Sequence, residues 1–280
     1  MNSKKYEFTY EDYEEGKEAK ELVDVILADK ELPQLDEIII GSWGNAWEDN
    51  CQGIIDAIIE NKEKFEHIKS LYIGDMDGED CEISWIMQGN YDGLLQALPN
   101  LESFTIQGSS DLSLGKLESK TLKQLEIVCG GLPLDVFKEI GQAELPQLEK
   151  LNLYLGVEDY GCDIEREDME AFLSEVKFPN LKYLGLNDSE NQDEIVEIVC
   201  KSEYMKQLEV LDFSNGTLTD EGGEIILETI PNYPNIKKVD MHYHYMSGKM
   251  VKKLQKLSCE VDVSEGNDPD DDYAYPMLTE

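Results

Sequence analysis

The chain has 280 residues, 41% of them hydrophobic, which is ample for a core and excludes a wholly disordered chain. Against 24 Lys and Arg stand 61 Asp and Glu, a formal charge of −37; such a surface repels phosphate, sets nucleic acid and anionic membrane aside as partners, and favours a basic protein. No run reaches the roughly 18 apolar residues of a membrane span. The first residues lack the apolar stretch of a signal peptide, and the six cysteines show no CxxC pair. The expectation is a cytoplasmic protein with reduced thiols in its core.

In chain order, residues 14–30 predict an amphipathic helix that closes the N-terminal edge. Then one pattern recurs: an apolar residue, often followed by proline, and Leu-x-x-Leu-x-Leu. It reads LPQLDEIII from Leu32, FEHIKSLYI from Phe65, LPNLESFTI from Leu98 and KTLKQLEIV from Lys120. It continues as LPQLEKLNL from Leu145, FPNLKYLGL from Phe178, MKQLEVLDF from Met205 and YPNIKKVDM from Tyr233. The first Leu-type positions are 35, 68, 101, 122, 148, 181, 208 and 236. Between them lie helical stripes: Ile54, Ile55, Ile58 and Ile59 after Cys51; Val136, Phe137 and Ile140; and Met169, Phe172, Leu173 and Val176. Ser189 to Gln192 fits a capping box opening another helix. Only 21 residues separate the third and fourth matches, so a turn replaces the helix there. Residues 259–263 alternate as a short edge strand, and the acidic tail behind it would block end-to-end sheet pairing and remain mobile.

Within Leu-x-Leu the apolar residues alternate, so a short strand points them to one side. The residues that follow turn and build a helix over the same core. No single unit buries its own apolar face, so the units must stack. The fold expected is α/β: a leucine-rich-repeat solenoid, a right-handed horseshoe with a parallel inner β-sheet and helices on its convex face. It forms one domain over residues 1–280, with an N-terminal cap at 1–31, eight repeats over 32–257, and a C-terminal cap and acidic tail at 258–280.

The repeats of 26–28 residues, best seen in LEVLDFSNGTLTDEGGEIILETI from Leu208, look like the ribonuclease-inhibitor class. GSWGNAWE from Gly41, GDMDGEDCEISWIMQ from Gly74, LYLGVEDYGCD from Leu153 and DMHYHYMS from Asp240 carry a closer likeness. With CGGLP from Cys129 and NDSENQDEI from Asn187, they make the chain resemble a family of uncharacterised bacterial cytoplasmic leucine-rich-repeat proteins across nearly its whole length. Asn191 departs from that pattern, which places an apolar residue there. The resemblance implies architecture and no activity.

Stacking also predicts which residues meet. The x of Leu-x-Leu faces the concave side, giving the column Ile39, Tyr72, Thr105, Glu126, Asn152, Gly185, Asp212 and Asp240. Two residues further on comes a second column, which includes Gln107, Tyr154, Asn187, Ser214 and His242. Glu37, Lys150, Tyr183 and Lys238 precede the strand centres, and Asp75 and Asp188 follow them. Six acids against two lysines make this floor acidic, and its tyrosines suit a binding surface, since their rings add contact area at low entropic cost. All three tryptophans, Trp43, Trp47 and Trp85, fall in two long loops at the carboxyl ends of adjacent strands, and Tyr160 extends that rim.

Catalytic motifs are missing. There is no GxSxG and no HExxH; Gly108 to Lys116 has the wrong spacing for a P-loop, and Asp75 to Asp80 has its glycine misplaced for a calcium loop. These residues therefore point to a non-catalytic module that binds a basic protein through Trp43, Trp47, Tyr72, Asp75, Trp85, Glu126, Tyr154, Tyr160, Tyr183, Asn187, Asp188, Asp212, Asp240 and His242. No cofactor or metal is expected, and its role would be that of an inhibitor, immunity protein or scaffold. The competing reading is a metal-binding protein or metal-dependent hydrolase on Asp212, Asp240 and His242. His244, however, sits where such repeats carry an inward Asn that satisfies loop backbone.

Overall fold

Each Leu-x-x-Leu-x-Leu segment becomes a strand whose apolar residues turn inward. In the computed structural model, which describes residues 2–271 and 273–278, these strands line up in chain order in one sheet. They are β1 (Ser3–Phe8), β2 (Glu37–Trp43), β3 (Ser70–Ile73), β4 (Ser103–Gln107), β5 (Gln124–Val128), β6 (Lys150–Gly156), β7 (Tyr183–Ser189), β8 (Val210–Asp212), β9 (Lys238–Asp240) and β10 (Glu260–Asp262). Every neighbouring pair is parallel. The chain therefore folds as a leucine-rich-repeat solenoid. The N-terminal segment supplies an edge strand in addition to a helix.

Ladders of like residues fill the interior. The first Leu-type positions, from Leu35 to Ile236, are all buried, as are the second ladder from Ile38 to Val239 and the third from Ile40 to Met241. The outer wall is built from α1 (Tyr10–Glu14), α2 (Ala19–Ala28), α3 (Gln52–Glu60), α4 (Lys62–Phe65) and α5 (Leu94–Ala97), then α6 (Leu134–Gly141), α7 (Arg166–Glu175), α8 (Gln192–Lys201), α9 (Asp220–Thr229) and α10 (Gly248–Leu254). Their apolar stripes face the sheet: Ile54, Ile55 and Ile58 from α3, and Met169, Phe172 and Leu173 from α7, are buried. Between β4 and β5 the described residues hold no helix; Leu112, Leu114 and Leu117 close the wall in extended turns. The helix after β7 starts at Gln192 with Asn191 as its N-cap. The Ser189 amide donates to Gln192 Oε1 at 3.2 Å, which is half of the predicted capping box.

At the amino ends of the strands a second regularity appears. The carbonyls of Asp36, Lys69, Glu102, Lys123, Glu149, Lys182 and Glu209 each accept two successive amides from the next repeat. The side chains at these positions, together with Lys237, alternate in charge. They pair as Asp36–Lys69 at 3.9 Å, Glu102–Lys123 at 2.6 Å, Glu149–Lys182 at 3.1 Å and Glu209–Lys237 at 2.5 Å.

The carboxyl ends are different again. Asp188, Asn215, Tyr243 and Glu265, each three residues past its position in the concave column, all have positive φ, between 55° and 64°. Asp and Asn adopt this left-handed turn more readily than most residues. The C-terminal segment does not hang free but folds back over these turns. The Met277 amide donates to the Asn215 carbonyl at 2.8 Å, and the Leu278 amide to Asp188 Oδ1 at 2.9 Å. Tyr275 exchanges hydrogen bonds with Tyr245, at 3.1 and 3.0 Å.

Candidate functional site

The strand register assembles the concave column that the sequence predicts. Ile39 pairs with Tyr72, Tyr72 with Thr105, Thr105 with Glu126, and Glu126 with Asn152. Asn152 pairs with Gly185, Gly185 with Asp212, and Asp212 with Asp240. Lys5 and Asp262 extend the column at its two ends. In the second column, Tyr154 pairs with Asn187.

Side chains on this floor bond mainly to one another. Tyr72 donates to Gln107 Oε1 at 2.5 Å, and Gln107 Nε2 donates to the Met76 carbonyl. Glu126 accepts from Lys150 at 3.2 Å and from Asn152 at 2.7 Å, and Asn187 Nδ2 donates to Asn152 Oδ1. Gly185 is needed at the centre of this group, because a Cβ there would collide with the Asn152 side chain and press on the Tyr183 ring. Lys150 lies 4.9 Å from the Tyr183 ring centre, within cation–π range, while the Tyr183 hydroxyl donates to Asp212. Burial, then the Asp212 carboxylate, raises the Tyr183 phenol, so this donor keeps its proton. Asp212 and Asp240 are direct neighbours of like charge, and separate donors relieve them. Ser214 serves Asp212, and Lys238 serves Asp240 at 2.9 Å. Asp75 is paired with Lys5 at 3.3 Å.

The predicted rim residues separate. Trp43 is 2% exposed and packs in the core, with Nε1 donating to the Asp49 carbonyl; it offers no ring to a partner. Trp47 is half-buried, its ring 5.3 Å from that of Tyr10. Trp85 is 57% exposed and presents its ring to solvent. Tyr160 is half-buried on the loop after β6. The two long loops do adjoin, with the Met87 amide donating to the Ala46 carbonyl at 2.8 Å.

Asp188 is not a floor residue. Its left-handed backbone turns it into a buried pocket under the tail, where burial pushes its carboxyl up to about 8. Composition hides this contact, since the acidic stretch before the tail reads as a solvated end. The signal overlooked is the apolar cluster Tyr273 to Leu278 behind it.

Among the described residues, Asp240, His242 and Asp262 are a trio whose ligand atoms lie within 4.8 Å of one another. Asp212 points its carboxylate to Tyr183 and Ser214 instead. Asp240 is already engaged from inside, accepting from Lys238 and from His242 Nδ1 at 2.8 Å, and Asp262 accepts from the Ser264 hydroxyl at 2.6 Å. His244 does what an inward Asn would do. It is 2% exposed, its Nδ1 accepts the Met246 amide and its Nε2 donates to the Val263 carbonyl; burial lowers its pKa and keeps it neutral.

A protein from Bacteroides fragilis, solved as a structural-genomics target, is similar over almost the whole chain. It is 44% identical, with a TM-score of 0.91, covering 98% of this chain and 77% of that one. The crystal structure of the yeast Rad7 and Elc1 complex aligns with a TM-score of 0.36 at 14% identity, over 82% of this chain and 74% of that one. No protein-family model and no curated protein matches the sequence.

Proposed function

The chain belongs to the same family as the Bacteroides fragilis protein, and from its concave face we propose that it is a non-catalytic protein-binding module acting in the bacterial cytoplasm. The observation that carries this reading is the set of half-buried tyrosines Tyr72, Tyr154 and Tyr183, which sit in three neighbouring registers of the concave face with Glu126 and Asp212 among them. Tyr and acid together suit a basic partner with apolar tips, and Trp85 adds an exposed ring at the rim. Inhibition, immunity or assembly are the roles open to such a surface. That last step is an analogy from fold.

The test is kinetic. Raising ionic strength should slow association more than it speeds dissociation, because an unbalanced acidic surface steers encounter. Glu126→Lys should weaken binding, and Trp85→Ala should cost about 2 kcal/mol of affinity. An association rate indifferent to salt and to Glu126→Lys would refute the reading.

The proximity of Asp240, His242 and Asp262 favours a second reading, a divalent-metal site. Metal analysis of the purified protein decides it. Near-equimolar zinc, manganese or iron that disappears in Asp262→Ala would establish such a site.

A further inference from the structure

The carboxyl end of β7 and the turn after β8 hold three buried oxygen acceptors that none of the described residues satisfies. These are Asn187 Oδ1, Asp188 Oδ2 and Asn215 Oδ1. Their residues are 0%, 0% and 5% exposed. A buried acceptor without a donor costs about 1–3 kcal/mol, so each of these calls for a donor from water or from a bound group. The two asparagine oxygens accept, and Asp188 Oδ2 accepts once its carboxyl is ionised. The complement is a cationic donor, an ammonium or guanidinium.

What covers them now is extended backbone. Met277 and Leu278 lay their amides on the Asn215 carbonyl and on Asp188 Oδ1, crossing the repeats transversely, while Pro276 is buried between Tyr275 and Met277. The slot thus takes an extended chain through main-chain hydrogen bonds, a recurring mode of peptide recognition. This occupant fits poorly. From Glu260 onward the sequence contains no Lys or Arg to serve the empty acceptors. Two of its large side chains also stay out, with Tyr273 87% and Met277 49% exposed, while the Tyr275 hydroxyl donates to Asp159 at 3.5 Å. A permanent cap would bury those side chains and satisfy the acceptors.

We propose that this rim slot is a binding site for an extended peptide carrying a lysine or arginine, and that Tyr275–Leu278 is its resident occupant in cis, displaced when the partner binds. The inference deepens the protein-binding reading and rests on it, but it concerns the rim and not the concave floor.

Met277→Pro combined with Leu278→Pro in the full chain removes both amide donors and leaves the rim intact. The probes are two fluorescein-labelled octapeptides, the tail's own YAYPMLTE and YAYPMKTE, which has lysine at the place of Leu278. The lysine peptide should bind the double variant at least about tenfold more tightly than it binds the wild-type chain, and more tightly than YAYPMLTE does. Adding Asp188→Asn, which keeps an acceptor and removes the charge, should abolish the lysine advantage. Equal affinity for released and wild-type chains, or no binding to the released chain, would overturn the proposal. Should the double variant not fold, wild-type protein gives the answer by amide hydrogen exchange. Excess YAYPMKTE should speed exchange at Met277 and Leu278, and unchanged rates would also overturn it. Loss of the rim site leaves the Glu126→Lys effect on the partner untouched, so the two readings fail separately.

Discussion

The rim after β2 and β3 and the rim after β7 and β8 lie at the same ends of the same sheet, yet they are closed in opposite ways. The first closes itself: its inserted loops bury Trp43, bond its indole to Asp49, and adjoin through Met87 and Ala46. The second has short turns and is closed by a segment arriving from the far end of the chain, which leaves acceptors unserved beneath it. A rim closed by its own loops can open only by local unfolding. A rim closed by a strap can open while the repeats below stay intact.

The sharpest way to break that contrast is to truncate the self-closing side. Trp43→Ala should destabilise the fold by about 3–5 kcal/mol, read from denaturant unfolding, as expected for a buried tryptophan. A loss under about 1 kcal/mol would show that the first rim does not depend on its own core. On the strapped side, Met277→Pro with Leu278→Pro removes two hydrogen bonds and should cost about 1–3 kcal/mol in all, without changing the cooperativity of unfolding.

A pH series examines the strap directly. Burial raises Asp188 from its ordinary 3.8 to about 8 in the covered state, so covering takes up a proton that an uncovered carboxyl would release. The cover is therefore fully stable below the usual carboxylate range and weakens as pH rises toward 8. Its opening constant should grow as pH rises across that window, against the opposing pull of the Met277 and Leu278 amides, and level off above it. The Tyr154, Tyr243 and Cys129 groups that feel the Asp188 charge are all raised by burial and stay neutral there. Leu278 amide exchange, corrected for its intrinsic pH dependence, should follow this curve in wild type and lose it in Asp188→Asn. The smallest effect is expected at Trp85: its replacement by alanine should move stability by no more than about 0.5 kcal/mol, since the ring is largely exposed. A loss comparable to that of Trp43→Ala would make the exposed loop a structural plug.

The repeat positions and the concave column were legible because a two-residue alternation fixes both what is buried and what meets its neighbour across the sheet. Tyr72, Glu126, Asn152, Asp212 and Asp240 fall into register for that reason alone. At the carboxyl ends of β2 and β7, and in the loops beyond the strands, that alternation fails. One residue in a left-handed turn moves Asp188 from an expected floor position into a buried pocket, and the same loss of period leaves Trp43 and Trp85 indistinguishable by position although one is core and the other solvent-facing. The tail contact spans 90 residues and rests on two backbone amides, which every residue but proline carries. The apolar cluster from Tyr273 to Leu278 is the one side-chain signal of it.

The alternating charges at the amino ends of the strands carry a consequence for the length of the solenoid. Each pair is exposed and worth little in isolation, about 0–1 kcal/mol. Their order, however, imposes a parity. Acid follows base from Asp36 to Lys237. Inserting or deleting one repeat within that run would set two carboxylates or two ammonium groups on adjacent strands, about 4.8 Å apart. Inserting or deleting two restores the sequence of signs. The unit by which this molecule can grow or shrink without self-repulsion is thus a couplet of repeats.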